Sequence, residues 1–315
     1  MKPIKLSPVY KEIIWGGKRL INEYNKKTDL NNVAESWELT VRPDGMNTIV
    51  GGDFDGLTLE EYINIKGKAV VSNKELDRFP LLIKFIDAED NLSVQVHPDD
   101  EYGLKNANSL GKTEMWYIID AKPNAKLVYG LKPGCTVEEF KIAIENGTVE
   151  NMLNYVPVKK GDVFFIPAGL VHAIGSGILL AEIQQNSNIT YRVYDYNRVG
   201  KDGKTRELHI SDALNVIKTR SNDEIDKIRY STNVKYEYTL ASCEYFTVEK
   251  FNINGHHRFL ATAESFNSIL CLDGNAQIEF NGEIYKITKG DSYFIPANLG
   301  EYFINGTAEI ILSKI

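Results

Sequence analysis

Apolar residues along the chain come in short bursts punctuated by Gly, Pro, Asn and Asp: PLLIKFID (80–87), LSVQVHP (92–98), EMWYIID (114–120), VFFIPA (163–168) and ILLAEIQQ (178–185). Bursts of this length, bounded by turn formers, predict strands rather than helices. Helical signals are confined to three places: Thr58 with Glu61 and Thr136 with Glu139 as capping boxes, and Ser211 ahead of DALNVIK. These read as inserts and a connector in a β protein.

The pattern repeats. GDVFFIPAGLVHAI (161–174) and GDSYFIPANLGEYFI (290–304) share Gly-Asp, two variable positions and Phe-Ile-Pro-Ala, which points to two related β-units. Gly-Asp makes a turn, the apolar run an inward strand, and Pro ends the pairing. ILCLDGNAQIEFNGEIYKITKGD (269–291) predicts hairpins turning at Asp273-Gly274 and Asn281-Gly282. A polar stretch from about 218 to 234 without alternation sets the boundary. The expected fold is all-β, two barrel units with small helical inserts: a catalytic unit over 1–220 and a degenerate C-terminal unit over 235–315.

Composition narrows the class. The 315 residues are 43% apolar and 25% charged, as in a packed globular chain. No apolar stretch approaches the roughly 20 residues of a membrane helix, and MKPIKLSPVYKEIIWGG lacks a signal-peptide core, so a cytoplasmic protein without a membrane partner is expected. Cys135, Cys243 and Cys271 are scattered and odd in number, which predicts reduced thiols and no thiolate zinc site. A net charge of −7 argues against nucleic acid while leaving room for a small anion in a basic pocket.

Candidate chemistry begins at Gln95 and His97, two apart on one strand and therefore on one face. Pro98 then stops the strand. Glu114 opens an apolar strand, and His172 follows the Pro-Ala turn among small and apolar residues. Singly, these are an ordinary polar pair, a strand-edge charge and a core histidine. Together, two imidazoles, a carboxylate and an amide oxygen make a four-donor site suited to Zn²⁺ and acceptable to Fe²⁺, Mn²⁺ or Co²⁺. Aligning the repeat puts Glu301 where His172 stands and Asn267 where Glu114 stands, so the second unit lacks the set. His256 and His257 are adjacent, face opposite ways and read as surface residues.

SVQVHPDD, GKTEMWYII, PAGLVHAI and QQNSNITYRVYDYNR, with EIIWGG and AESWEL near the N-terminus, resemble the type I mannose-6-phosphate isomerases in their short bacterial form. The resemblance runs from the N-terminus to about residue 215. It implies a cupin (jelly-roll) fold, one bound zinc per chain and interconversion of mannose 6-phosphate and fructose 6-phosphate. It further implies zinc ligands at Gln95, His97, Glu114 and His172, and an active-site arginine and acid at Arg192 and Glu182. Lys112 matches the lysine before the metal-binding glutamate. Ser93 and Lys84 match positions near the polar end of the substrate, and Arg198 replaces a lysine found in some members. Trp15, before Gly16-Gly17, is expected to line the sugar pocket.

The implied reaction passes through a cis-enediolate, with Lys112, Glu182, a metal-bound water or a further His as the base. Ser93, Lys84 and Arg198 suit a phosphate. A non-haem iron cupin dioxygenase uses the same two-His, one-carboxylate set, and a non-catalytic sugar-binding cupin is the other alternative. A small sugar phosphate is the expected partner, and the chain a monomer or weak homodimer.

Overall fold

The computed structural model describes residues 1–200, 203–230 and 238–315. The chain is mostly β, and its three main sheets are antiparallel throughout. The central sheet has six strands in the order Val163–Ile166, Glu114–Ala121, Ile178–Gln185, Leu81–Ala88, Glu35–Leu39, Val9–Lys11. A five-stranded sheet faces it, in the order Leu153–Pro157, Lys126–Leu131, His172–Ala173, Val94–Val96, Tyr191–Tyr194.

Alternation along the central strands decides what each layer touches. Ile86, Trp116, Ile118, Ile178 and Leu180 point inward and pack with Leu127, Tyr129 and Ile174 of the facing sheet. Ile83, Phe85, Met115, Tyr117, Leu179 and Ala181 point the other way, onto Phe246, Phe266, Leu270 and Phe294 of the C-terminal region and Leu59 and Tyr62 of an inserted helix. With both faces covered, Leu81–Ala88 and Ile178–Gln185 are buried along their whole length. This explains why their sequences are continuous apolar runs rather than the half-polar alternation usual in antiparallel sheets. The outer face of the five-stranded sheet is sealed by Phe140, Ala213 and Val216 from helices.

The third sheet, of eight strands, gathers the C-terminal region: Thr239–Ser242, Thr247–Ala261, Gly300–Lys314, Asn267–Phe280 and Ser292–Ile295, with Glu283–Thr288 paired to Asn267–Phe280. It is completed by Ile4–Ser7 and Thr48–Val50 from the beginning of the chain, Leu6 standing opposite Ser292. Buried Lys26 joins the layers, donating to Glu38 Oε1 and to the Gly290 carbonyl, both at 2.6 Å. Among the described residues no sheet closes on itself, so the expected closed barrels are not seen; the central and five-stranded sheets pack as a sandwich.

The repeat is visible as shared geometry. Gly161 and Gly290 both take positive φ, at 90° and 88°, as the turns before their strands require. Asp162 accepts from the Lys159 amide at 3.0 Å, and Asp291 from the Thr288 amide at 2.9 Å. Ile166 stands opposite Glu114, and Ile295 opposite Asn267, as the aligned repeat anticipates.

Other expectations shift. Both predicted capping boxes form, at Thr58 with Glu61 and Thr136 with Glu139. The helix expected to follow Ser211 begins two residues earlier, Ile210–Val216, with Ser211 inside it and His209 at the cap. Asn281-Gly282 turns a hairpin, but Asp273-Gly274 does not: the strand runs on through it with a register shift between Cys271 and Asp273. A side chain at Gly274 would meet the Thr307 carbonyl oxygen at 2.2 Å, so that glycine serves close strand approach rather than reversal. Much of the polar boundary is the helix Asn222–Tyr230, whose Ile225 reaches the sandwich core; residues 231–234, and the first three of the expected C-terminal unit, lie outside the described residues. Among those described, no helix is long and apolar enough to cross a membrane.

Asp87 carries a testable cost. It is 1% exposed, accepts from the Arg19 amide at 2.8 Å, and burial pushes its carboxyl up to about 6. Ionisation therefore opposes folding: no penalty exists below pH 4, it grows between about 4 and 6, and above 6 it is on the order of 1–3 kcal/mol. Asp87→Asn keeps an acceptor for Arg19. It should raise the melting temperature at pH 8 more than at pH 4.5, and an equal shift at both would show that ionisation is not the cost.

Candidate active site

Two rows of side chains meet across the sandwich. In the five-stranded sheet, His172 and Arg192 flank Gln95 in register, so all three lie side by side. In the central sheet Trp116, Glu182, Lys84 and Trp37 are successive cross-strand partners. Glu114, one strand step from Trp116 on the same face, stands opposite Gln184. The strand Val94–Val96 ends just before His97 and Pro98, and the Pro98 carbonyl accepts from the Lys112 amide at 3.0 Å, which brings Lys112 beside His97.

His97, Glu114 and His172 are buried, with one donor atom from each lying within 4.8 Å of the others. His172 Nδ1 is 2.8 Å from the Leu170 carbonyl, which only accepts, so the proton belongs on Nδ1 and Nε2 presents a lone pair. That Nε2 is 3.1 Å from His97 Nε2, 3.4 Å from the Gln95 amide group and 3.5 Å from Glu114 Oε1. His97 Nε2 is 3.7 Å from Glu114 Oε2. Ligands of one tetrahedral ion at about 2.1 Å lie roughly 3.4 Å apart, so the spacing suits a divalent cation between them.

The electrostatics agree. Burial drives both imidazoles down, His172 to about 4 and His97 well below the usual range, leaving them neutral and able to ligate. Burial, with the charge of Glu182 behind it, pushes Glu114 up to about 7. Both Glu114 oxygens are buried; the Lys112 ammonium pairs with Oε2 at 2.8 Å, while Oε1 accepts no hydrogen bond. A buried carboxylate with one oxygen left unpartnered, facing two imidazole nitrogens, fits a cation.

Beyond this cluster opens a cleft of about 320 Å³. Burial alone would raise Glu182, but the ammonium groups of Lys112 and Lys84 prevail and hold it down to about 2. Its Oε1 is 3.1 Å from Lys84 Nζ and 4.0 Å from Lys112 Nζ, while Oε2 accepts from Trp116 Nε1 at 3.0 Å. Lys84 also pairs with Glu35 at 3.3 Å. Arg192 donates from Nε to buried Ser93 at 3.1 Å, and Trp15 forms part of the wall.

The structure thus gathers Gln95, His97, Glu114 and His172 at one point, and Lys112, Glu182, Lys84, Ser93, Arg192 and Trp15 around it. Arg198 lies elsewhere: it donates to the Asn91 carbonyl and Asp195, stands 3.4 Å from Asp90 and stacks over Tyr196, and the cleft wall holds Arg206 instead. Sequence reasoning also left Glu35, Trp116 and Arg206 unassigned. Period-two alternation from Glu114 reaches Trp116; Glu35 lies in AESWEL without a distinguishing signal; Arg206 is delivered by a loop that no pattern announces. In the C-terminal region, Glu301 is exposed beside Arg258, and Asn267 donates to Tyr302 and the Leu260 carbonyl. His256 is on the surface, stacked on Phe303.

Comparison with known proteins places this arrangement. The family model for the type I phosphomannose isomerase catalytic domain matches residues 4–131, and that for the mannose-6-phosphate isomerase cupin domain matches 236–315. "Mannose-6-phosphate isomerase ManA" of Bacillus subtilis is 39% identical over 316 residues, covering 100% of this chain and 99% of that protein. "Mannose-6-phosphate isomerase" of Streptococcus mutans is 35% identical, covering 99% and 98%. A crystal structure of the mannose 6-phosphate isomerase from Bacillus subtilis superposes with a TM-score of 0.91 at 35% identity, covering both chains completely. The chain belongs to the type I phosphomannose isomerase family.

Proposed function

We propose that this isomerase interconverts mannose 6-phosphate and fructose 6-phosphate through a cis-enediolate, with one zinc ion held by Gln95, His97, Glu114 and His172. The observation that carries the reading is the convergence of two neutral buried imidazoles on a buried carboxylate that keeps one oxygen unpartnered, at the floor of a cleft lined by lysines and arginines. Relatives similar over their whole length are named for this reaction. A divalent ion bound there would polarise the sugar carbonyl and offset the negative charge of the enediolate.

The chain's own groups do the rest. Glu182, pinned in its ionised form between Lys84 and Trp116, is a weak proton acceptor; it fixes the two lysines. Lys112 reaches towards the proposed metal ligands and the cleft together and, entering the step as the neutral amine, takes the proton from one carbon and returns it to the other of C1 and C2. Arg192, buttressed by Ser93, supplies positive charge at the wall, and Trp15 closes one side of the sugar site. Arg198 acts from behind through Asp195. The enzyme acts alone or as a weak homodimer.

Fructose 6-phosphate formation from mannose 6-phosphate, followed by a coupled assay with metal analysis of the same preparation, tests this. Zinc-dependent turnover that a chelator stops and zinc restores is expected. Iron with oxygen consumption would show a dioxygenase, and metal and sugar binding without turnover a binding protein; either result defeats the proposal.

A further inference from the structure

We propose that Arg206 is the phosphate anchor of the cleft, so that the substrate lies with its carbonyl end at His97 and its phosphate at the Arg192–Arg206 pair. This deepens the isomerase reading and rests on it.

The chain brings Arg206 there by a closed excursion. After the strand Tyr191–Tyr194, Tyr196 and Asn197 take left-handed φ of 56° and 53° and turn the chain outward. It doubles back through a bridge between Val199 and Thr205, with the Gly200 amide donating to the Lys204 carbonyl at 2.8 Å. The return is fastened where the His209 amide donates to the Arg192 carbonyl at 2.7 Å. Arg206 therefore arrives beside Arg192 by construction of the backbone.

Its guanidinium is also fixed. Nε donates to Asp195 Oδ2 at 2.7 Å and a terminal nitrogen to Oδ1 at 2.5 Å, a two-point grip that sets the plane of the group. Asp195 is shared with Arg198, so one carboxylate serves two arginines. Arg192 makes no ion pair among the described residues; its partners are the Ser93 hydroxyl and the Glu207 carbonyl, both neutral. Positive charge at this end is thus in excess, as a dianion needs. Arg198 cannot fill the role, because its donors are spent on Asp90, Asn91 and Asp195 outside the cleft wall.

Spacing sets the orientation. His97, Gln95 and Ser93 project from one face at two-residue intervals, about 6.6 Å each along a strand. Arg192 is seated on Ser93, the end away from His97. The ion site reaches Gln95, one such step from Ser93, a distance that an extended sugar phosphate spans, and Asn188 and Thr190 also line the wall.

The test uses metal-loaded full-length protein and inorganic phosphate as the probe, with binding followed by calorimetry and competition against mannose 6-phosphate by kinetics. Arg206→Ala and Arg206→Gln should each weaken phosphate binding by about 10-fold to 100-fold, the loss expected for removing charge-assisted hydrogen bonds. The KM for mannose 6-phosphate should rise to match while kcat changes less than about threefold, and Arg206→Lys should recover part of the loss. Arg198→Ala should weaken phosphate binding less than either. Unchanged phosphate affinity in both Arg206 variants, a fall in kcat without a rise in KM, or a larger effect at Arg198 would overturn the proposal. Calorimetry needs no turnover, so a wild type that binds phosphate through Arg206 without isomerising would sink the assigned reaction and leave the anion site standing.

Discussion

His172→Ala is expected to lose bound metal and turnover together, with kcat/KM falling on the order of 10³-fold or more, about 4 kcal/mol of transition-state stabilisation. Of the four donors, His172 is the one whose lone pair is most firmly aimed. Its Nδ1–H is committed to the Leu170 carbonyl, and its Nε2 stands 3.1 Å from that of His97 and 3.5 Å from Glu114. The alanine leaves Glu114 and His97 too far from any third strong donor to hold an ion, and Gln95 contributes only a neutral amide. Because the removed side chain also contacts Trp116, with ring centroids 5.5 Å apart, the variant needs a fold control by circular dichroism. Elemental analysis beside the isomerase assay decides the matter. A folded His172→Ala enzyme with full metal occupancy and near-normal kcat/KM would remove His172 from the ligand set.

The central strands were legible because a strand covered on both faces reads as a short continuous apolar run bounded by turn formers. Once PLLIKFID, EMWYIID and ILLAEIQQ are read as strands, Lys84, Glu114 and Glu182 stand out as charges inside apolar runs, and a charge tolerated there needs a partner. The repeat was legible for a similar reason: Gly161 and Gly290 adopt a backbone that favours glycine, so the turn is written in residue type. Asp273-Gly274 deceived because the same dipeptide serves a hairpin turn and a bulge; only the neighbouring strand at Thr307 decides between them. The helix Asn222–Tyr230 carries a Ser221–Glu224 capping box, but its low apolar content hides the few residues that dock. Sheet partnership was least accessible. Nothing local in IKLS says that it pairs with Ser292–Ile295, since that pairing is fixed by tertiary packing. Arg206 was invisible for a related reason, its place depending on a loop closure between His209 and Arg192.

Lys112→Met should leave the metal in place and lower kcat by about 10²-fold to 10⁴-fold, the range for removal of a positioned proton carrier. The Lys112 ammonium lies 2.8 Å from Glu114 Oε2, 3.2 Å from His97 Nε2 and 4.0 Å from Glu182 Oε1. It touches two of the proposed metal ligands and also faces the acid of the cleft. If its role were to support the metal, methionine would reduce metal occupancy. Electrostatics predicts the reverse: deleting a positive charge this close to a cation site removes a repulsion, so occupancy should hold or rise. Exchange of the C2 hydrogen for solvent deuterium supplies a second readout, because a lost proton carrier slows exchange in step with turnover, whereas a defect in sugar binding raises KM and spares exchange at saturation. Retained metal with kcat within about threefold of wild type would transfer the proton to another group. Glu182→Gln would then be the next variant to measure, since among the described residues the only other carboxylate in contact with Lys84 is Glu35, which also accepts from Trp37 Nε1 at 2.7 Å.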